Sequence, residues 1–558
     1  MKRSLRVLIL LGLCILIPIG AYFWATGIFS TSYAYRSPLR NHPPQPGASL
    51  GEAPSGRVVI VLIDALRYDT SMNASVMPTL NRLRNEGASA TMHSRPPSFS
   101  EPGYTTIMTG AWPEINDGPT FNLDYAEIPT WTQDNLFSAA HRAGLGTAIS
   151  GYYWFEKLVP QQDVDESFYT PGEDAKADSD VMAAALPWLE NGNASFVLIH
   201  LDQVDYAGHH LGGPKSASWN KAAAEVDSDL AEIAAKLDFS QDTLIVLSDH
   251  GQIDAGGHGG QEPVTLTEPF VMTGARVIPG KYPDIQMVDI APTIAALLNL
   301  NLPAADQGQV LTGMIQLPES VLSILPGAIK QQQTHLVEDY ASALGMTVDA
   351  VKMPTGSDVA QYQAYMASLR DARILSQEIL RAALLALLLA LIIDLLVRNA
   401  KNGSLWWIAA GLVFVALFNY RYGIWDGKTY SVSSINSESE LILYVAITAG
   451  IAFLIAWLFD ALGQRTFWKK PLDAASTTAG LTLTILFVAA LPVFWSFLRN
   501  GVLTTWTLPD YLSNYLGLLG LLQIIAAGAF GLAAILLTSG ISWLINQKTI
   551  SRVKGTKK

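Results

Sequence analysis

Between Val58 and about Gln316 short apolar runs alternate with amphipathic ones, and the alternation predicts strands and helices in turn. VVIVLID from Val58 predicts a strand, MPTLNRLRNEG a helix ending at Gly87, ASATMHS a second strand, and YTTIMTG a helix after a short loop. LGTAISGYY is strand-like, VMAAALPWLENG helical, and FVLIHLD a strand. KAAAEVDSDLAEIAAKL predicts an amphipathic helix, TLIVLSD and EPFVMTGARV further strands, and MVDIAPTIAALLNL a helix with Asp289 near its start. Near-continuous apolar strands interleaved with helices predict an α/β fold, a mostly parallel sheet with helices on both faces. No internal repeat is visible.

A second pattern frames this one. Residues 7–26 (VLILLGLCILIPIGAYFWAT) are long and apolar enough to cross a bilayer, with Met1, Lys2, Arg3 and Arg6 around their start. Their length, and the lack of an A-x-A site after them, favour a retained anchor over a cleaved signal peptide. Five more apolar blocks follow near 378–397, 406–424, 441–459, 478–498 and 515–538, with Trp and Tyr at several ends. With the N-terminus cytoplasmic, Arg398 and Lys401, then Arg465, Lys469 and Lys470, then the tail NQKTISRVKGTKK all fall inside. Residues 27–377 and the acidic loop 425–440 (Asp426, Glu438, Glu440 against Lys428) then fall outside, which is the positive-inside arrangement.

The expected organisation is a transmembrane anchor (1–30), a Pro/Gly/Ser-rich linker (31–55), a catalytic domain (56–316), a helical connector (317–376), a five-helix membrane domain (377–545) and a basic cytoplasmic tail (546–558). Composition sharpens this only in places. The mean hydropathy of +0.25 is high for a wholly soluble chain. One cysteine, Cys14, allows no intrachain disulfide, so cysteine usage says nothing of redox compartment. A net charge of −12 and no long basic stretch beside a recognisable module argue against a nucleic-acid partner.

The candidate chemistry collects where strands run out into loops, the place an open α/β sheet offers its ligands. Asp64 follows VVIVLI; Asp205 and His209 follow FVLIHLD; Asp249, His250 and His258 follow TLIVLS. With Ser100 these seven residues have the donor types of a two-metal phosphoryl-transfer site. Mixed carboxylate and imidazole donors suit zinc, with manganese next. Asp205 and His209 are four apart, so one helical turn aims both at one ion, whereas the adjacent Asp249 and His250 suit separate roles or a bridge. Ser100, in RPPSFSEPGYTTIMTG, is expected as the nucleophile and as an N-cap, with Pro102 in the first turn. Asn122, in TFNLDY, is expected to donate its amide to a phosphate oxygen.

These segments together resemble the alkaline phosphatase superfamily, and within it the nucleotide pyrophosphatase/phosphodiesterases and the GPI ethanolamine-phosphate transferases. VVIVLIDALRYD resembles the transferases' opening motif. PSFSEPGY is similar both to their S-x-P-G segment and to the phosphodiesterase pattern P-x-x-T-F-P-N-H. HLDQVDYAGHH resembles the transferase segment around D-x-x-G-H, and SDHGQIDAGGHGG matches D-H-G-M-x-x-x-G-x-H-G with Gln252 in place of Met. The resemblance covers roughly residues 57–315 and implies an alkaline-phosphatase-like fold. It also implies that Ser100 carries the nucleophilic oxygen, that Asp205, His209 and His258 hold one metal, and that Asp64, Asp249, His250 and Ser100 hold the other. Gly103 and Tyr104 stand where the phosphodiesterases have Asn-His, and five helices after the domain are fewer than the eukaryotic transferases carry. No C/S-x-P-x-R segment of the sulfatase type lies at the site.

The expectation is therefore a multi-pass membrane enzyme with two zinc (or manganese) ions and a catalytic domain on the non-cytoplasmic side. It would form a phospho-serine and act on a phospholipid, a lipid-linked glycan or a small phosphodiester, as an ethanolamine-phosphate-transferase-like enzyme or as a nucleotide pyrophosphatase/phosphodiesterase-type hydrolase. A membrane transporter or adhesion protein with a non-catalytic ectodomain is the competing class. Against transport, Glu378, Arg381, Asp394 and Arg421 lie near helix ends rather than midmembrane.

Overall fold

A computed structural model describes residues 3–52, 56–399, 404–435 and 437–555. Lys2, Lys401 and the last three residues of the basic tail, which enter the charge argument, lie outside the described residues. The chain divides into two compact units, one comprising residues 33–373 and 506–508, the other residues 1–32, 374–505 and 509–558.

The first unit is built on β1 (Val58–Ile63), β2 (Ala88–His93), β3 (Thr147–Tyr152), β4 (Glu166–Thr170), β5 (Phe196–Leu201), β6 (Thr243–Leu247), β7 (Thr267–Gly274), β8 (Gly280–Lys281) and β9 (Ile285–Gln286). Their order across the sheet is β4-β3-β5-β1-β6-β7-β2-β8, with β9 also on β2. β1 is central and all six of its residues are buried. Alternate residues serve opposite faces. Val58, Ile60 and Leu62 join Phe196, Leu198, Ile245 and Leu247 under the helices Ser100–Thr109, Leu136–Arg142 and Ile290–Leu297. Val59, Val61 and Ile63 join Val197, Ile199, Leu244 and Val246 under Pro78–Glu86, Ala175–Asn191 and Ala217–Ala235. Two covered faces are why these strands read as continuous apolar runs rather than alternating ones.

The sheet is mostly parallel, with one reversal. β7 runs antiparallel to both β6 and β2. An apolar run such as EPFVMTG carries no record of strand direction, so the alternation of elements could not show this. β4, unmarked in the sequence pattern because its residues are mostly half-buried, extends the sheet beyond β3. The Pro/Gly/Ser-rich stretch is not a free spacer over its described part: Leu39 and Leu50 are buried, and Arg36 pairs with Asp117. The expected connector helix at DVAQYQAYMASLRDARI runs on without a break into the first of the five apolar blocks, as Val359–Asn399.

The second unit is helical. Six helical segments among the described residues are long and apolar enough to cross a membrane: Val7–Tyr33, Val359–Leu391, Leu405–Trp425, Glu438–Gly463, Pro471–Asn500 and Tyr511–Lys548. Phe414, Phe418, Phe453, Ile485 and Ala527 form its interior, while Leu8, Phe23, Leu387 and Leu536 face outward, an apolar exterior suited to lipid. These are the helices of a membrane protein.

The two-faced core makes a direct prediction. Phe196 is fully buried and packs its ring 4.8 Å from Phe137. Phe196→Ala should cost about 3–5 kcal/mol, read as a clear fall in melting temperature of the detergent-solubilised full chain. Phe23→Ala, on an outward face, should barely move it.

Candidate active site

In-register pairing of three parallel strands brings the acidic loops to one place. Ile63 sits opposite Leu201 and Leu62 opposite Leu247, so β1, β5 and β6 end level and the residues after them converge. Asp64 N–H still donates to Leu201 C=O at 2.9 Å, which holds its side chain at the sheet's edge. Ala65 then adopts φ +56°, an unusual left-handed conformation for a residue with a Cβ, and its N–H donates to Asp249 Oδ1 at 3.2 Å. On the facing helix Ser100–Thr109, Gly103 lies against Asp249. A Cβ there would stand 2.8 Å from Asp249 Cβ, so the helix reaches this close only with glycine.

The structure brings the seven expected residues into one connected cluster. His250 Nδ1–H donates to Gly251 C=O at 3.1 Å, which leaves the Nε2 lone pair facing inward. That nitrogen lies 3.1 Å from Ser100 Oγ, 3.4 Å from Asp249 Oδ2 and 3.5 Å from Asp64 Oδ1. His258 Nδ1–H likewise donates to Ser98 C=O at 3.0 Å, and its Nε2 stands 2.9 Å from His209 Nε2 and 3.7 Å from Asp205 Oδ1. His209 Nε2 is 3.5 Å from Asp205 Oδ2. The His250 and His258 rings stack 4.0 Å apart, so the two donor sets adjoin. Asn122 accepts the Glu101 N–H at 3.1 Å through Oδ1, which turns its Nδ2 toward Ser100 Oγ at 3.4 Å.

Ser100 is not the N-cap. Phe99 occupies that position with extended backbone, and Ser100 is the first helical residue, its hydroxyl free of any capping bond. The hydroxyl is thereby turned to His250 and Asn122 rather than to its own helix.

The donor set suits divalent cations. Donors bonded at about 2.0–2.1 Å to one tetrahedral ion stand roughly 3.3 Å apart, close to the spacings around His250 Nε2. Asp64 Oδ1 and Asp249 Oδ2 are buried and have no hydrogen-bond partner among the described residues, a costly arrangement unless a cation is their partner. Three groups of donor atoms each fall within 4.8 Å of one another: Asp64, Asp249 and His250; Asp205, His250 and His258; and Asp64, His200 and Asp202. Electrostatics follow the burial. Burial and then the neighbouring Asp64 charge hold the Asp249 carboxyl well above its ordinary range, and burial holds the His250 imidazole well below its own. For Asp64 burial works upward but is outweighed, His200's hydrogen bond first, and the carboxyl falls to about 2.

Several residues around the site were not singled out in the sequence. Tyr104 and His200 both reach Asp64 Oδ2. Gln252 donates its amide to Asp205 Oδ1. Glu101 accepts Leu123 N–H at 3.0 Å and so secures the Asn122 turn. Gln252 and Tyr104 were visible only as departures from the motifs. Nothing local distinguishes His200 from a core strand residue.

Against known proteins, residues 58–336 match the family model of type I phosphodiesterase / nucleotide pyrophosphatase. That is half of the chain, and the protein belongs to this family, whose members are enzymes acting on phosphate esters. Among curated proteins, human GPI ethanolamine phosphate transferase 2, catalytic subunit, is 27% identical over 303 residues, covering 49% of this chain and 30% of that protein. GPI ethanolamine phosphate transferase 2 of Kluyveromyces lactis is 28% identical over 316 residues, covering 50% of this chain and 39% of the relative. The matched regions thus span about a third of these relatives' length. Among solved structures, human ectonucleotide pyrophosphatase / phosphodiesterase 5 matches with TM-score 0.38 and 15% identity over 44% of this chain and 95% of that one. A protein in the alkaline phosphatase superfamily from Vibrio parahaemolyticus matches with TM-score 0.37 and 17% identity, over 48% and 72%.

Glu101 yields a pH prediction. Its fully buried carboxyl is pushed up to about 9 by burial, against the Leu123 hydrogen bond that lowers it. The folded chain therefore keeps a proton that the unfolded chain gives up near its ordinary value, and stability falls as pH rises from about 4.5 toward 9. Glu101→Gln should lessen the loss of melting temperature between about pH 5 and 8, measured on the full chain in detergent.

Proposed function

We propose that this protein is a membrane-bound, two-metal phosphoryl transferase that works through a phospho-serine on Ser100. Its substrate would be a lipid-linked or membrane-proximal phosphate ester, a phospholipid or lipid-linked glycan, in the manner of an ethanolamine-phosphate transferase. The observation that carries this reading is the setting of Ser100 Oγ, 3.1 Å from His250 Nε2 and 3.4 Å from Asn122 Nδ2, beside two adjoining sets of carboxylate and imidazole donors. Asp205, His209 and His258 would hold one divalent ion, and Asp64, Asp249, His250 and Ser100 the other, zinc by donor type with manganese next. Such ions supply Lewis-acid polarisation of a phosphoryl oxygen and a lowered pKa for the attacking hydroxyl.

The chain's own groups do the rest. Ser100 Oγ forms the new P–O bond while the bond from phosphorus to the leaving oxygen breaks. Asn122, its amide orientation set by Glu101 N–H, offers Nδ2–H to a phosphoryl oxygen. An acceptor hydroxyl, or water, then breaks the Ser100–phosphorus bond. Lipid as the substrate setting is supported by the apolar helices carried on the same chain and by what the transferase relatives are named for. The second reading, a nucleotide pyrophosphatase/phosphodiesterase-type hydrolase, is favoured by the family match and uses the same residues with water as acceptor.

Incubation of the detergent-purified chain with zinc and lipid extract, followed by mass spectrometry of the Ser100 peptide and of the lipid products, tests the proposal. A phosphoryl or phosphoethanolamine adduct on Ser100 and a modified lipid support transfer; an adduct with only hydrolysed ester supports the second reading. Ser100→Ala should lower the rate at least about 10³-fold. Ser98→Ala should be far milder, because among the described residues the Ser98 hydroxyl bonds Gly260, Gly259 and Thr265 and not Ser100, His250 or Asn122. Full activity in Ser100→Ala would refute the covalent path.

The proposal also places the catalytic unit on the non-cytoplasmic side, on the strength of the Lys and Arg distribution. Ser437 and Lys470, both exposed, lie in loops of opposite sign. In intact cells Ser437→Cys should react with an impermeant thiol reagent and Lys470→Cys should not. The reverse pattern would invert the topology.

A further inference from the structure

Asp64 is held from behind. Tyr104, one turn along the helix from Ser100 and 1% exposed, donates its hydroxyl to Asp64 Oδ2. His200, within β5 and 1% exposed, has Nε2 at 3.1 Å from the same oxygen and 2.9 Å from the Tyr104 hydroxyl. The Tyr152 N–H points at His200 Nδ1 from 3.4 Å, so Nδ1 accepts and Nε2 carries the proton. Both donors thus converge on Oδ2. Asp64 Oδ1 has no hydrogen-bond partner among the described residues and faces His250 Nε2 at 3.5 Å.

The arrangement is built rather than incidental. Tyr104 stacks on Phe155 at 4.6 Å, and both rings meet His200 edge-on at 5.1 and 5.4 Å. On the neighbouring strand Gly151 leaves room for the imidazole, because a Cβ there would stand 2.6 Å from His200 Cβ. A buried Tyr–His pair ordinarily only fills a core. Here the Tyr104 hydroxyl and His200 Nε2 both address one carboxylate oxygen and leave the other to the site.

We infer that Tyr104 and His200 are positioning residues that fix Asp64 as a one-oxygen metal ligand, Oδ2 committed to them and Oδ1 to the ion beside His250 and Ser100. The inference rests on the two-metal reading above. Its physical basis is general: groups that hydrogen-bond a ligating carboxylate set its orientation and tune the affinity of its metal. Without the Tyr104 hydroxyl, the carboxylate is free to rotate, and Oδ2 competes for the ion.

The test uses the full chain in detergent, stripped of metal and titrated with Co²⁺ and with Zn²⁺ against a chelator. Wild type should take up two ions. Tyr104→Phe, which keeps the ring on Phe155, should weaken one ion about 10–100-fold and leave the other unchanged. It should also shift the visible Co²⁺ bands, as expected for altered carboxylate binding, with the melting temperature of the metal-free chain close to wild type. His200→Gln keeps an N–H donor and should give a smaller change of the same kind, while His200→Ala should match or exceed Tyr104→Phe. If Tyr104→Phe melts low, the His200 pair decides. Wild-type affinity and spectrum in Tyr104→Phe and His200→Ala, with two ions still bound, overturn this inference and leave the two-metal reading standing. A third ion lost on His200→Ala also overturns it, since His200 would then be a ligand together with Asp64 and Asp202, whose donor atoms lie within 4.8 Å of its own. A wild-type chain that binds no ion overturns both.

Discussion

The close approach of buried carboxylates is the constraint on which this molecule turns. Asp64 and Asp249 are both about 1% exposed and both lie within 3.5 Å of one imidazole nitrogen. Two acids in so dry a place repel one another, and each loses its hydration. Only a rigid frame holds them there. The frame is the level ending of β1, β5 and β6, whose register sets Leu62 between His200 and Leu247. Two fully covered faces keep that register from slipping, since a shift of one residue would turn every apolar side chain to the wrong face.

Around this centre the chain arranges its polar groups in a consistent direction. Two imidazoles commit Nδ1 to a backbone carbonyl, His250 to Gly251 and His258 to Ser98, and present Nε2. Asp205 takes the Gln252 amide on Oδ1, and Asp64 takes Tyr104 and His200 on Oδ2. Asn122 is turned by Glu101 N–H. In every case one polar atom is anchored in the protein and the other is left to the site. This is how a fold pre-organises a charged centre without relying on the substrate to do so.

The departures from the family pattern find physical roles in the same scheme. Gly103, where the phosphodiesterases have Asn, lets the helix that begins at Ser100 close on Asp249. Tyr104, where they have His, reaches past that contact to Asp64. Gln252, where the motif has Met, brings a hydrogen-bond donor to Asp205. Each of the three touches a carboxylate of the cluster, so the departures fall around those acids and leave the acids themselves in place.

The order of apolar and amphipathic runs was enough to show an α/β unit and six membrane-length segments, because burial on two faces and the demands of a bilayer both write long, unambiguous patterns. Asp64, Ser100, Asp205, His209, Asp249, His250 and His258 were expected together from the strand ends and the motif resemblance, and the structure places them in one cluster. Strand direction could not be read, and β7 runs opposite to its neighbours, since hydropathy is the same in either sense along a chain. The helix start moved by one residue, because whether Ser100 caps or begins its helix depends on backbone angles at Phe99. His200 looked like a core residue and Tyr104 only like a departure from a motif, because what each meets lies across the fold, 136 and 40 residues away at Asp64. Local sequence determines what a residue can donate or accept; only tertiary packing decides which atom it meets, and so which oxygen of Asp64 is left for the site.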